Sequence, residues 1–184
     1  EIVFVSPCKG HVKAINRGDR RALLSVIISV ESLTEKSINY IKLHEKVKSE
    51  KDFVRKCILD SGLWTSFLTR PYSKIPSPDS EPASIFITAI DTEPLCPRPD
   101  LIINEDLSAF NVGVERIASL TKGKVFLCKE EGRDLEVKNY ESYDFKGPHP
   151  AGLAGTHMHF LDPPSTNKIV WSIGYQDVLA IGRR

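Results

Sequence analysis

The chain has 184 residues, enough for one good domain and a small appendage. Its 41% apolar and 27% charged content is that of an ordinary globular protein and excludes disordered or fibrous classes. Lys and Arg total 25 against 24 Asp and Glu, so a formal charge of +1 gives no electrostatic reason to expect nucleic acid or anionic lipid.

No apolar run reaches the roughly 18 residues of a spanning helix, so membrane contact would have to go through a partner or a segment outside this sequence. Cys8, Cys57, Cys96 and Cys128 lie far apart with no C-x-x-C pair and read as reduced thiols. The chain opens inside a strand-like run and stops inside a helix-like one, the pattern of an internal piece of a longer protein.

Glu1 to Val5 (E-I-V-F-V) reads as a strand and Ser6 to Gly10 as a turn. His11 to Ile15 alternates at period two, Asn16 to Asp19 turns, and Leu23 to Val30 is a further strand. Residues 1–31 are therefore expected to be the remnant of a β-rich domain, too small to fold alone. S-P-C-K-G-H-V (Ser6 to Val12) resembles a biotinyl or lipoyl-like hammerhead without its carrier lysine, leaving Lys9 and Lys13 as surface lysines. Residues 32–48 are polar and lysine-rich and read as a linker.

From residue 49 to 184 the pattern changes to alternating helices and strands. Ser49 is placed to cap a helix running to about Asp60, with Asp52 at N3 and Gly62 at its end. Phe53, Val54, Cys57 and Ile58 share one face. Leu63 to Pro76 is an aromatic, basic, proline-broken loop. Ser84 to Ile90 is a near-continuous apolar run, as expected of a strand buried on both faces of a parallel sheet. Asp91-Thr92-Glu93-Pro94 follows at once, and ligands of open α/β sheets sit beyond such carboxyl ends. Leu101 to Ile103 is expected as a short strand, and Asn104 as the cap of a helix from Glu105 to about Thr121 with a Leu107, Phe110, Val114, Ile117, Leu120 stripe. Lys124 to Cys128, Asp134 to Tyr143 and Ile169 to Ile173 complete the strands, and Tyr175 to Ile181 is helical. The expected class is α/β, a mostly parallel sheet with flanking helices.

The chemistry concentrates in Gly147 to Phe160, which holds His149, His157 and His159. Three imidazoles could bind zinc, but on a helix His157 and His159 would lie about 200° apart, and no H-E-x-x-H accompanies them. Ordinary packing is the stronger reading, so no metal ligand is assigned. Gly152 and Gly155 form only a lone G-x-x-G, which a tight crossing explains as well as a phosphate site does. Ser61, Asp60 and His157 can be written as a triad, yet no nucleophile elbow supports it, so no catalytic residue is assigned. Trp64, Phe67, Arg70, Tyr72 and Lys74 combine rigid aromatics with cations, either as a binding loop or as a proline-ordered surface loop.

At G-P-H-P-A-G-L-A-G-T-H-M-H-F-L (Gly147 to Leu161) and W-S-I-G-Y-Q-D-V-L-A-I-G (Trp171 to Gly182) the sequence resembles the A subunit of the bacterial Na+-translocating NADH:quinone oxidoreductase. The resemblance extends through Asp60 to Pro76, Ile85 to Leu95 and Ser119 to Lys129, and is weakest at Ser32 to Lys48 and Arg133 to Tyr143. It implies a Rossmann-like domain akin to the flavin- and NADH-binding subunit of respiratory complex I. It also implies a peripheral subunit on the cytoplasmic face of the inner membrane, with the complex's other subunits, membrane subunits especially, as partners. The complex would oxidise NADH, reduce ubiquinone and pump sodium, with FMN, FAD, riboflavin and a 2Fe-2S centre in other subunits. The relatives carry a glycine-rich loop, S-G-x-x-G-x-G-G-A-x-F-P, where this chain has Ser61 to Pro71 with only the leading Ser-Gly retained. Side chains there would occupy the space of a flavin phosphate, so neither FMN nor NADH is expected on this chain. An apolar, aromatic-lined cleft is what ubiquinone would need, and Trp64, Tyr72 and His157 are the candidates. A self-sufficient flavin or nicotinamide oxidoreductase, or a zinc hydrolase using the three histidines, are the alternatives.

Overall fold

A computed structural model describes residues 1–32, 38–137 and 140–184. It divides into two compact units, Phe4–Asn39 and Glu1–Val3 with Tyr40–Arg184.

In the smaller unit β1 (Lys9–Arg17) pairs antiparallel with β2 (Leu23–Ser32) around a 3-10 turn at Asp19–Arg21. Val12, Ile15, Leu24, Ile27 and Val30 stay exposed, because a two-stranded ribbon has no second layer to cover its apolar positions. The strand expected at Glu1 to Val5 does not form. The segment is an apolar run but has no ladder partner among the described residues, since β1 and β2 pair only with each other.

The larger unit opens with a short helix, α1 (Tyr40–Leu43), inside the stretch expected to be a linker. Residues 33–37 of that stretch lie outside the described residues. Next comes α2 (Glu50–Asp60), whose first turn is capped as its sequence predicts, Ser49 Oγ accepting from the Asp52 amide. Val54 and Ile58 carry its buried face, and Gly62 ends it in the left-handed region at φ 77°. A 3-10 turn at Leu63–Ser66 leads into β3 (Leu68–Arg70), then β4 (Ser84–Ala89). Two helices follow, α3 (Pro99–Glu105) and α4 (Leu107–Ala118), then β5 (Lys124–Glu130), β6 (Ser142–Phe145), α5 (Ala154–Leu161), β7 (Val170–Gly174) and α6 (Tyr175–Arg183).

The expected strand at Leu101 to Ile103 is thus the middle of a helix. Pro99 opens α3 at a position where its missing N–H is no loss, a start signal that the short apolar run obscures. The helix expected from Glu105 instead breaks at Asp106, which caps α4 by accepting from the Ala109 amide at 3.2 Å. The stripe itself holds, with Phe110, Val114, Ile117 and Leu120 fully buried. The strand expected over Asp134 to Tyr143 is confined to β6; Lys138 and Asn139 lie outside the described residues.

The sheet order is β3-β7-β4-β5-β6, with β4 parallel to β5 and β7, β5 parallel to β6, and β3 antiparallel at the edge. The parallel order β6-β5-β4-β7 is that of a doubly wound sheet. Alternation along β4 divides the interior. Ile85, Ile87 and Ala89 join the larger core with α2, α4 and α6, while Phe86 faces α5 with Phe126, Cys128, Met158 and Val170.

α4 and α6 cross at glycines. A Cβ on Gly182 would stand 1.8 Å from the Ala109 carbonyl oxygen, and one on Gly113 2.2 Å from that of Val178. Neither obstruction is a flexible side-chain end, so the helices must part to admit a methyl. Gly182→Ala is expected to lower stability by about 1–3 kcal/mol, read as a lower urea midpoint at unchanged m-value.

Candidate functional site

A cleft of about 310 Å³ opens at the carboxyl ends of β4 and β7. This is the point where the sheet reverses direction, because the chain leaves β4 toward β5 on one side and returns from β6 to β7 on the other. Thr88, Ile90, Asp91, Thr92 and Glu93 form one wall, Gly174, Tyr175, Gln176 and Asp177 another, and Gly152 and Leu153 the third. Sequence pattern pointed to the Asp91–Glu93 wall through the apolar strand before it. It missed the Gly174–Asp177 wall, where strand passes into helix with no turn motif to mark it.

The segment from Gly147 to Leu153 is fastened onto the Asp91–Thr92 loop. Thr92 Oγ1 accepts from the Gly152 amide at 3.0 Å and lies 3.3 Å from His149 Nδ1. A Cβ on Gly152 would meet Thr92 N at 2.7 Å and Thr92 Oγ1 at 2.9 Å, so the approach requires glycine. Of the two explanations for the G-x-x-G, the tight crossing is the one with geometry behind it; Gly155 has nothing near its absent side chain.

The cleft is negatively charged. Asp91, Glu93 and Asp177 line it, and no cationic side chain does so among the described residues. Asp91 Oδ1 accepts from the Glu93 amide at 2.9 Å, folding the loop into an Asx turn. Asp177 stands in the first turn of α6, where a carboxylate complements the helix dipole. Neither α5 nor α6 has a side-chain cap, and the residue before each helix, Leu153 and Gly174, lines the cleft. Burial, with Asp91 nearby, pushes the Tyr175 phenol above its ordinary value. Burial also raises the Cys96 thiol, whose Sγ donates to the Asp91 carbonyl at 3.4 Å, so that it stays protonated at neutral pH. These groups can bind and orient a polar molecule; none is an activated nucleophile.

None of Trp64, Tyr72 and His157 lines this cleft, and they do not meet elsewhere. Trp64 is fully buried in the larger core. It packs tilted on Phe67 and edge-on against Trp171 at centroid distances of 5.6 Å each, and its Nε1 donates to the Pro76 carbonyl at 2.9 Å. His157 is fully buried on the opposite side of the sheet, its ring 4.2 Å from that of Phe145 and its Nε2 2.9 Å from the Ala151 carbonyl oxygen. Tyr72 is the accessible one, 68% exposed on a turn where it and Ser73 both take positive φ (86° and 48°). Leu68 and Ile75 are exposed beside it in sequence, and the turn is closed by the Thr69 amide donating to the Lys74 carbonyl at 2.8 Å.

The binding loop read from Trp64 to Lys74 therefore splits into a buried anchor and an exposed turn. Aromatic character alone could not distinguish the two, since a core tryptophan and a ligand-stacking one have the same side chain. The Ser61, Asp60 and His157 relay is not assembled: Ser61 Oγ donates to Ile58 O, Asp60 pairs with His44 at 2.8 Å, and His157 holds Ala151. The three histidines of the metal reading also point to separate partners. His149 contacts Thr92, His157 is buried, and His159 packs against the exposed Phe160 ring. No group of three or more potential ligands gathers among the described residues.

Residues 49–184 match the family model described as the NqrA second alpha/beta domain, and residues 1–31 that of the NqrA N-terminal barrel-sandwich hybrid domain. The chain belongs to the NqrA family. It is 48% identical over 98% of its length to the A subunit of the Na(+)-translocating NADH-quinone reductase of Saccharophagus degradans. It is 45% identical over 99% of its length to the proteins of the same name from Vibrio atlanticus and Neisseria gonorrhoeae. It spans 41% of the length of each of these relatives. No helix among the described residues is long and apolar enough to cross a membrane.

Because Gly152 seats the third wall of the cleft, Gly152→Ala is expected to displace the Gly147–Leu153 segment and lower stability by about 1–3 kcal/mol. Amide exchange at Leu153 would accelerate while that of β4 and β5 stays protected, as followed by hydrogen exchange.

Proposed function

We propose that this chain is the central part of a peripheral subunit of a Na+-translocating NADH:ubiquinone reductase, on the cytoplasmic face of the inner membrane. In this reading it serves assembly with the other subunits, membrane subunits included, and touches ubiquinone without redox chemistry of its own. FMN, FAD, riboflavin and the 2Fe-2S centre belong to other subunits, and a Rossmann-like domain here acts as a degenerate relative of flavin- and NADH-binding ones. Family membership supports the complex.

The observation that carries the cofactor reading is the packing of Ser61 to Pro71. Trp64 and Phe67 are fully buried there against Trp171, so side chains fill the loop that in flavin-binding relatives is glycine-rich backbone. The carboxylate-lined cleft at the β4–β7 reversal supports it further. A pyrophosphate there would face Asp91, Glu93 and Asp177 with no cation to offset them. For ubiquinone, accessibility favours Tyr72 over Trp64 and His157, because a substrate cannot reach a ring with no exposed surface. A tyrosine held on a strained, exposed turn offers a ring face and a hydroxyl donor to a quinone carbonyl.

The test is photo-crosslinking of the intact complex with a quinone analogue, mapped by peptide. Label on the segment containing Leu68 to Ile75 is expected, and Tyr72→Ala should weaken labelling and raise the KM for quinone about tenfold with assembly intact. Labels confined to membrane subunits would leave the domain a structural role only. Stoichiometric flavin on the purified chain, or tight NADH binding by calorimetry, would overturn the cofactor reading in favour of a self-sufficient oxidoreductase.

A further inference from the structure

The Gly147–Leu153 segment is a strap whose two sides are held differently. On the cleft side Gly152 and His149 rest on Thr92. On the other side the Ala151 carbonyl receives its hydrogen bond from His157 Nε2, at 2.9 Å. A carbonyl can only accept, so Nε2 carries the proton and His157 is held as the tautomer with bare Nδ1. That Nδ1 is buried and has no hydrogen-bond partner among the described residues. A second proton could go only there.

Among the described residues the surroundings offer such a cation no free carboxylate, only the face of an aromatic ring. β6 presents the Phe145 ring, while its neighbours Asp144 and Lys146 are taken by Lys129 and Glu131 at 2.6 and 2.7 Å. β4 and β5 turn Phe86, Phe126 and Cys128 to this side of the sheet. On α5 itself His159 is exposed, and Asp162, at its end, is engaged by Ser84 and Lys168. On the strap His149 is occupied with Thr92, and Asp91 in the loop below is held by the Glu93 amide.

We propose that His157 is a pH-operated latch: in its neutral form it closes the strap through Ala151, and on gaining a second proton it releases the strap and loosens the Gly152–Leu153 wall of the cleft. This goes beyond the proposed function and does not depend on what the cleft or Tyr72 binds.

The sign follows from burial, which lowers the pKa of His157, the Ala151 hydrogen bond opposing it as the smaller effect. A histidine whose folded pKa is depressed withdraws stability as pH falls through its unfolded value of about 6.5. The closed strap is therefore favoured at and above neutrality and weakened in the acidic range.

The experiment is hydrogen exchange on the intact protein between pH 7.5 and 5.0, corrected for intrinsic exchange. Protection of the Gly152 and Leu153 amides is expected to fall about tenfold on acidification, while amides of β4 and β5 hold theirs. His157→Gln keeps a nitrogen donor for Ala151 but does not titrate, and should show pH-independent protection. His149→Asn should retain the wild-type response. Flat wild-type protection to pH 5.0 overturns the latch, as does an unchanged response in His157→Gln, or its loss in His149→Asn. Should His157→Gln fail to fold, NMR titration of the wild type decides. The His157 ring and the Gly152 amide must then share one midpoint, and separate midpoints overturn the proposal.

Discussion

Everything in the larger unit is arranged about β4, a strand with covered neighbours on both sides and covered faces above and below. Its apolar run allows no solvent side, so helices must pack on each face and parallel strands on each edge. Because successive residues point to opposite faces, Ile85 and Ile87 require one core and Phe86 another. Its carboxyl end then lies where the chain departs in two directions, and a cleft forms there with no further instruction. The separation of Trp64 from His157 is a consequence of the same alternation. One packs against Trp171 in the first core, and the other lies with α5 on the far face.

That geometry explains what could be read from residues and what could not. The strand runs around Ile87, Leu127 and Ile173, the α4 stripe and the Ser49 cap each carry their signal within a few neighbouring positions, and all form as expected. Where a local pattern suits two structures at once, tertiary context decides between them. Leu101 to Ile103 is apolar enough for a strand but follows Pro99, and helix initiation prevailed. Glu1 to Val5 is apolar and β-branched like a strand, yet extended backbone is stable only on a ladder. The sites were less legible still, because burial is a property of contacts made across the chain. Trp64 and Tyr72 are eight positions apart in one aromatic loop, and only the core around Trp171 shows that one is an anchor and the other a surface group.

Strain is concentrated at exposed turns. Tyr72, Ser73 and Leu95 are not glycine, yet all adopt positive φ, and Leu95 is fully exposed in the loop that follows the cleft wall. Each such residue costs roughly 1–2 kcal/mol, which surrounding contacts must offset. At Tyr72 the offset is visible in the paired hydrogen bonds between Thr69 and Lys74. A side chain exposed at such a cost is the opposite of a side chain exposed by default, and Tyr72, Ser73 and Leu95 share that property.

The carboxylates at the cleft and the aromatics in the Ser61–Pro71 loop bear on the same question from independent directions. A nucleotide-binding sheet needs bare backbone near the phosphate and a field that tolerates negative charge. Here the loop is filled, with Trp64 and Phe67 each making ring contacts worth about 0.5–1.5 kcal/mol beyond the area they bury. Emptying it would forfeit those contacts and orphan the Pro76 carbonyl. The cleft adds repulsion that no residue of its lining offsets. Placing glycines in the loop alone would therefore leave the acidic wall, and neutralising the wall alone would leave the filled loop. The filled loop stabilises the larger core, and the acidic wall sets the field of the cleft. In such a domain the open ends of β4 and β7 remain as a consequence of topology, available to whatever the strap at Gly152 admits.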